Sequence, residues 1–157
     1  MTNSKIDIVV PWVNGDDPAW QNEREKYLKQ PPDDIEIASN IRFESWDLRY
    51  WFRAIEKFVP WFNNIFFITW GHLPDFLNVN NPKLKIVKHS DYIPDEYLPT
   101  FNSNTLEMNM FRINELSENF VYFNDDLFPL QPIPEKYYFQ DDMVCDEAVE
   151  SHFMIDG

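Results

Sequence analysis

The sequence contains a single cysteine, Cys145, and no long apolar run. One cysteine excludes an intrachain disulfide and a zinc centre built on several thiolates, so we expect a buried, inert thiol. No apolar stretch approaches the roughly 18 residues of a membrane-spanning helix. The first residues, Met1 to Asp7, lack the charged-then-apolar pattern of a secretory leader. These absences predict a cytosolic protein with no transmembrane segment.

Glycine and basic residues are also scarce. The three glycines form neither a GxGxxG motif nor a P-loop, which disfavours dinucleotide and Walker-type binding. Thirteen basic residues against 27 acidic ones give a net charge of −14, which repels both nucleic acid and an anionic membrane surface. This charge also repels pyrophosphate, so a nucleotide-sugar site here would need a divalent cation or local basic groups.

Aromatic residues are abundant, at 17% of the 157 residues, and they supply apolar area for the core of one domain. Apolar runs of strand length alternate with helical patterns along the chain. The predicted strands are residues 6–12, 65–70 and 84–87, and the predicted helices are residues 18–29 and 46–59. Because this alternation is typical of βαβ units, we predict an α/β fold with a mostly parallel sheet and flanking helices.

A further apolar run, FVYF, leads directly into Asn124, Asp125 and Asp126. We interpret the run as a buried strand and its polar end as the point where the strand leaves the core. Ligand sites of α/β sheets lie at such strand ends, and two adjacent carboxylates there are suitable ligands for Mg²⁺ or Mn²⁺. The same residues, followed by Leu-Phe-Pro, are equally typical of an ordinary turn between strands.

Two other strand ends carry polar candidates. After the first strand, residues 13–18 predict a tight turn and a helix start, where backbone N–H groups face a ligand and Trp12 stacks on a base. A purely structural connection is the alternative. After the second strand, His72 has either a catalytic or ligand role or a structural one.

Helical segments supply the remaining candidates. Arg49 and Arg53 are four residues apart on one predicted helix, and they either contact a phosphate or form salt bridges. Asn104, with a glutamate three residues later, predicts a capping box at the start of another helix. Together with Asn102 and Ser103, it would place side-chain donors at a positive helix end that suits a phosphate group.

Several of these segments together resemble the Stealth family of hexose-1-phosphate transferases. That family includes bacterial capsular polysaccharide phosphotransferases and the catalytic subunit of the eukaryotic lysosomal-enzyme N-acetylglucosamine phosphotransferase. One matching block is IDIVVPWVNGDDP, at residues 6–18. The second block comprises WDLRYWFRAIEKFVPW (46–61), IFFITWGHLPDFLN (65–78), LPTFNSN (98–104) and LSENFVYFNDD (116–126). The motifs occur in order and span nearly the whole chain, so the resemblance is specific.

The resemblance implies a fold like that of the nucleotide-diphospho-sugar transferases, which is a glycosyltransferase-like fold. It also implies a sugar-phosphate transfer reaction. A sugar-1-phosphate would pass from a UDP-sugar to a hydroxyl of an acceptor glycan, with release of UMP, in the synthesis of capsular polysaccharide or exopolysaccharide. A metal would stabilise the charge that develops on the phosphate oxygens. Carried over by position, Trp12, Asn14, Gly15 and Asp17 would form a donor-side loop that binds the substrate.

The resemblance also assigns roles to the later motifs. Asp125 and Asp126 would hold or organise Mg²⁺ or Mn²⁺ and act in catalysis. Arg49, as a further catalytic residue, would steady phosphate together with Asn102 and Ser103.

The chain departs from the family in two ways. Asn104 and Phe111 stand where the family commonly has histidines, and neither side chain titrates, which leaves a general base unassigned. The family also has two further C-terminal blocks that are not in these 157 residues, so residues 1–157 are expected to form one incomplete domain. Such a fragment either is inactive alone or requires a partner chain or the missing C-terminal half. Two further alternatives are a non-catalytic remnant that binds a nucleotide sugar or glycan, and a conventional glycosyltransferase that releases UDP.

Overall fold

The computed structural model describes residues 5–28, 48–141 and 143–145. The described elements, in chain order, are β1 Ile6–Trp12, α1 Pro18–Glu25, α2 Leu48–Phe58, β2 Ile65–Thr69, β3 Leu84–Lys88, α3 Ser103–Met108, β4 Asn119–Tyr122, β5 Phe139–Gln140 and β6 Met143–Val144. Strands β1 to β4 form one parallel sheet in the order β3-β2-β1-β4, and β5 and β6 form a small antiparallel hairpin. The predicted α/β fold with a parallel sheet and flanking helices is confirmed.

Helix α1 is shorter than the sequence predicts. It ends at Glu25, whereas the prediction ended it at Lys29, which lies outside the described residues, as does Trp46, the predicted start of α2. The helix ends early because the N–H groups of Lys26 and Tyr27 bond to carbonyls three residues back, which tightens the last turn. The ring of Tyr27 then packs 6.0 Å from that of Phe101.

The two faces of the sheet are both covered. On one face, the buried side chains of β1 pack against the apolar stripe of α2, including Trp51 and Ile55. On the other face, Val9 of β1 packs with Phe66 of β2 and with buried residues of the segments that follow β3 and α3, such as Tyr92. The sheet is therefore the middle layer of the described part of the chain.

Strand β4 lies at an edge of the described sheet, not in its buried centre. The sequence predicted a buried strand from the run FVYF, but β4 spans Asn119–Tyr122 and Val121 is its one buried residue. The central strands are β1 and β2, and every residue of β2 is buried. The local pattern was misleading because aromatic residues also suit the half-buried surface of an edge strand.

A buried carboxylate fastens the amino ends of three strands. Asp7 is fully buried in β1. Its Oδ1 accepts hydrogen bonds from Asn63 Nδ2, at 2.8 Å, and from the N–H and Nδ2 of Asn64, at 2.9 and 3.3 Å. Its Oδ2 accepts the N–H of Ser117 at 2.9 Å. These donors precede β2 and β4, so Asp7 sets where both neighbours join β1.

Proline ends the pairing of β1 with β4. The N–H of Ile8 and the carbonyl of Ile6 bond toward β2, while the carbonyl of Val9 accepts from the N–H of Phe123 on the β4 side. By this alternation Pro11 also faces β4, and it has no N–H to continue the ladder. The chain segments after β1 and β4 can therefore separate at the carboxyl edge of the sheet.

Cys145 is partly exposed, so the expected burial of its thiol is wrong. It directly follows β6, whose residues Met143 and Val144 are largely exposed. Its N–H donates to the carbonyl of Tyr138 at 2.7 Å, which holds the backbone of the hairpin but leaves the side chain near the surface.

Candidate active site

The strand order of the sheet reverses between β1 and β4. The chain passes from β1 to β2 and β3 on one side of β1 and then returns to β4 on the other side. In open parallel sheets, ligands bind at the carboxyl ends of the strands where the order reverses in this way. The segments that leave this edge are residues 13–17 after β1 and residues 124–126 after β4. We call the space between them the β1/β4 crevice.

The loop after β1 is tethered to the loop after β2 by His72. The N–H of Asn14 donates to Nε2 of His72 at 2.7 Å. Nδ1 of the same ring lies 3.3 Å from Oδ2 of Asp17, close enough for electrostatic attraction but not aligned as a hydrogen bond. The imidazole also packs edge-on against Trp12, with ring centroids 5.3 Å apart. One side chain thus positions three of the four predicted donor-loop residues.

His72 is a neutral positioning residue. Burial lowers its pKa, and the nearby Asp17 carboxylate opposes that shift with a smaller effect. Because Nε2 accepts the N–H of Asn14, the ring is the Nδ1–H tautomer and its basic nitrogen is already occupied. Of the two roles open at the sequence level, the geometry supports the structural one.

Asp17 also caps the helix that follows the loop. Oδ1 of Asp17 accepts the N–H groups of Ala19 and Trp20 at 2.8 and 3.1 Å and so caps α1. The N–H of Trp20 is the largest cause of a lowered pKa of Asp17. These bonds occupy the N–H groups that sequence reasoning assigned to a ligand, so the start of α1 offers little to a phosphate.

Gly15 is buried within the same loop. Its carbonyl accepts a hydrogen bond from Nε2 of Gln21 at 2.8 Å, and Oδ1 of Asn14 accepts the N–H of Asp16 at 3.1 Å. The shape of the loop is therefore fixed by hydrogen bonds from its own residues, from α1 and from His72.

The segment before α3 packs against α1. Phe101 makes an edge contact with Trp20, with ring centroids 5.8 Å apart, and this contact places the segment that contains Asn102 and Ser103 beside α1. Asn102 is the N-cap of α3, since its Oδ1 accepts the N–H of Asn104 at 2.9 Å. The predicted capping box at Asn104 is therefore wrong: the helix begins at Ser103, because the extended backbone of Asn102 is what suits a cap.

The acidic pair stands at the β4 side of the crevice. Asp125 and Asp126 are half-buried, and the N–H of Leu127 bonds to the carbonyl of Asn124 at 3.1 Å. The pair therefore sits in a turn and also at the strand-order reversal, so the two interpretations of this stretch are compatible. Each of the two residues also interacts with other groups of the protein.

The residues near the pair suit a hydrated divalent cation. In the described ranges, no group of three or more His, Cys, Asp or Glu side chains is placed to hold a metal ion. Mg²⁺ typically keeps several waters and binds through one or two carboxylates plus substrate phosphates. Two adjacent carboxylates beside the β1/β4 crevice fit that mode of binding, whereas they do not fit a closed protein cage.

Arg49 lies in the first turn of α2 and is exposed. Because α2 leads into β2 of the parallel sheet, its first turn lies toward the carboxyl edge. The guanidinium lies 5.7 Å from the ring centroid of Phe76, while that of Arg53 lies over Tyr50 at 5.8 Å. The two arginines thus stack on different aromatic rings.

A second histidine near this edge, His89, escaped the sequence analysis. His89 directly follows β3 at the carboxyl edge and is only 7% exposed. Burial, with a smaller contribution from nearby His72, lowers its pKa to about 4, so it is neutral at pH 7. A histidine at the end of a predicted strand was the available signal, but burial cannot be read from one position.

Two models of conserved regions from one protein family match this chain. The sequence matches the model described as Stealth protein CR2, conserved region 2, at residues 42–147, and that of Stealth protein CR1, conserved region 1, at residues 4–31. The described helices include none that is long and apolar enough to cross a membrane.

Three curated relatives illustrate the similarity. A capsular polysaccharide phosphotransferase of Streptococcus pneumoniae is 54% identical over 143 residues, which are 89% of this chain and 43% of the relative. One from Streptococcus thermophilus is 46% identical over 136 residues, 85% of this chain and 57% of the relative. An exopolysaccharide phosphotransferase of Lactiplantibacillus plantarum is 36% identical over 151 residues, 95% of this chain and 44% of the relative.

The chain therefore spans about half the length of these relatives. Both matched regions contain a segment that borders the β1/β4 crevice: the first contains the loop after β1, and the second contains the acidic pair. The match over most of the chain shows that this protein belongs to the Stealth family.

Proposed function

We propose that this chain carries the donor site and the catalytic carboxylates of a sugar-phosphate transferase of capsular polysaccharide or exopolysaccharide synthesis. The whole enzyme would transfer a sugar-1-phosphate from a UDP-sugar to a hydroxyl of an acceptor glycan and release UMP. The observation that carries the proposal is the β1/β4 crevice, where a tethered loop and two adjacent carboxylates flank the reversal of strand order. The phosphotransferase names of the relatives support the same reaction class.

In this reaction, the oxygen of the acceptor hydroxyl bonds to the phosphorus nearest the donor sugar. The bond from that phosphorus to the oxygen bridging the two phosphates breaks, and UMP leaves with that oxygen. Mg²⁺ or Mn²⁺ held by Asp125 and Asp126 would supply charge neutralisation for the phosphate oxygens. Because the carboxylates alone would repel the donor phosphates, Asp125 and Asp126 would keep these phosphates on the β4 side of the crevice only with such a cation bound.

The other residues bind and orient the donor. Trp12, whose indole is held by Phe67 at 5.7 Å and by His72 at 5.3 Å, offers its remaining surface to the base. Arg49 carries positive charge at the start of α2, where it would steady a phosphate in an otherwise acidic chain. Asn102 and Ser103 lie beside α1 and would border the donor.

A second candidate function is a non-catalytic nucleotide-sugar or glycan-binding part. It is favoured by the state of the two described histidines, since the basic nitrogen of His72 is occupied and His89 is buried and neutral. Neither is placed to accept the hydroxyl proton. The base would then come from the rest of the enzyme or from a partner chain. This chain by itself would bind the donor without catalysing the transfer.

Product analysis tests the proposal. The chain would be incubated with Mg²⁺, a panel of UDP-sugars and an acceptor glycan, and the nucleotide products separated by anion-exchange chromatography. UMP with a phosphodiester-linked product supports the sugar-phosphate transferase. UDP would show a conventional glycosyltransferase, and a chain that binds the donor but releases neither nucleotide would be the binding part. The cytosolic setting stays a prediction.

A further inference from the structure

A second concave surface lies on the α2 side of the sheet, away from the β1/β4 crevice. It is a cleft of about 450 Å³ between α2, the segment after β2 and the start of β3. This volume is within the range of small-molecule sites in proteins. Its lining combines aromatic rings with amide and charged groups, among them Phe52, Glu56, Phe76, Asn78, Asn81 and Lys83.

The polar groups of the cleft are mostly hydrogen-bond donors. The amide oxygens of Asn78 and Asn81 each accept a backbone N–H in a local turn, from Asn80 at 3.2 Å and from Lys83 at 3.0 Å. Each asparagine therefore has its NH₂ group to donate to a ligand. Glu56, exposed on α2, is an acceptor, so donors and an acceptor line the same opening.

The aromatic wall of the cleft is partly exposed. Phe76 is 41% exposed, and its ring packs edge-on against Phe52, with ring centroids 6.5 Å apart. A sugar ring has an apolar face of C–H groups surrounded by hydroxyls, so an exposed aromatic ring edged by amides and a carboxylate complements it. A lipid chain would leave those polar groups without partners, which is costly.

One wall of the cleft contacts a residue of the candidate active site. Phe76 forms part of the cleft wall, and the guanidinium of Arg49 lies over its ring, 5.7 Å from the ring centroid. Arg49 stands at the first turn of α2, toward the carboxyl edge of the sheet. A ligand in the cleft would therefore lie beside the residue that we expect to steady the donor phosphate.

We propose that this cleft binds the acceptor glycan, at the sugars adjoining the one whose hydroxyl attacks the donor. The inference rests on the proposed function, since it takes the acceptor to be an oligosaccharide. The aromatic wall orients the sugar rings, and the asparagine amides and Glu56 recognise their hydroxyls.

Backbone-amide NMR of the whole chain tests the cleft directly. Cellotetraose, maltotetraose and lacto-N-tetraose would be titrated separately, and at least one is expected to shift the signals of residues 76–84. Phe76→Ala should weaken that binding about fivefold, because a stacked aromatic contact contributes on the order of 1 kcal/mol. Asn78→Ser keeps an oxygen for the turn but removes the NH₂ donors, and it should also weaken binding.

Matched controls separate this proposal from the proposed function. Phe111→Ala makes the same change at an exposed phenylalanine in another segment and should leave glycan binding unchanged. UDP-N-acetylglucosamine binding, measured in parallel, should be unaffected by Asn78→Ser. Donor binding with no glycan-induced shift at residues 76–84, or glycan binding that survives both cleft substitutions, would overturn the acceptor cleft alone. A folded chain that binds neither ligand would overturn both proposals.

Discussion

Replacement of Asp7 by asparagine is expected to destabilise the fold by about 3 kcal/mol. The side chain is fully buried and accepts four hydrogen bonds, three at Oδ1 and one at Oδ2. Asparagine has nearly the same shape but only one acceptor oxygen. Whichever way the amide is oriented, its NH₂ group must therefore face at least one N–H donor.

The magnitude follows from the less costly orientation. With the amide oxygen at the Oδ1 position, the donors from Asn63 and Asn64 keep an acceptor, but the N–H of Ser117 loses one. A lost hydrogen bond to a buried charged group costs roughly 1.5 to 3 kcal/mol. The three remaining bonds weaken because their acceptor is neutral, which adds about 1 kcal/mol in total.

Urea unfolding followed by far-ultraviolet circular dichroism measures this loss. Asp91→Asn is the matched control, because Oδ2 of the exposed Asp91 accepts a single N–H, from Lys88 at 2.7 Å, and its replacement should cost less than about 1 kcal/mol. Equal losses in the two variants, or a loss below about 1 kcal/mol for Asp7→Asn, would refute the idea that this carboxylate fastens the amino ends of β1, β2 and β4.

Two further predictions concern the histidines. His89 has a pKa near 6.5 in the unfolded chain but of about 4 in the folded chain. Between these pH values the unfolded chain binds a proton that the folded chain does not, so protonation favours unfolding there, and this loss of stability is absent well above pH 6.5. Stability should fall by about 3 kcal/mol as the pH falls from 6.5 to 4. His89→Phe should flatten that dependence in urea titrations; an unchanged slope would contradict it. His72→Phe removes the acceptor for the N–H of Asn14, so hydrogen exchange at Asn14 should accelerate at least about tenfold, and an unchanged rate would show that His72 does not tether the loop.

The architecture follows from local patterns in the sequence. The apolar runs of β1, β2 and β3 and the apolar stripe of α2 predict strands and a helix, and their alternation predicts a parallel sheet. The polar residues that end β1 and the FVYF run also mark the carboxyl edge correctly. What local patterns do not specify is the order of the strands, so the edge position of β4 required the structure.

The contacts that position the site were beyond sequence reasoning for a different reason. Asn14 and His72 are 58 residues apart, and Asp7 and Ser117 are 110 residues apart, so no spacing rule connects them. Asp7 by itself is typical of an exposed polar position in a strand. The error at Asn104 is one of boundaries, since neighbouring asparagines are all suitable caps and only the backbone shows that Asn102 is used.

The most direct test of the account is a calorimetric titration of the chain with UDP-N-acetylglucosamine in Mg²⁺, in Mn²⁺ and in excess chelator. The account predicts binding that requires a divalent cation and weakens at least tenfold in Asp125→Asn/Asp126→Asn, since both proposed ligands are lost. Asp95→Asn/Glu96→Gln is the matched control. It removes the same charge at an exposed acidic pair and should leave binding unchanged. Equal binding in chelator, or full affinity in the Asp125 and Asp126 variant, would contradict a donor site organised by the acidic pair.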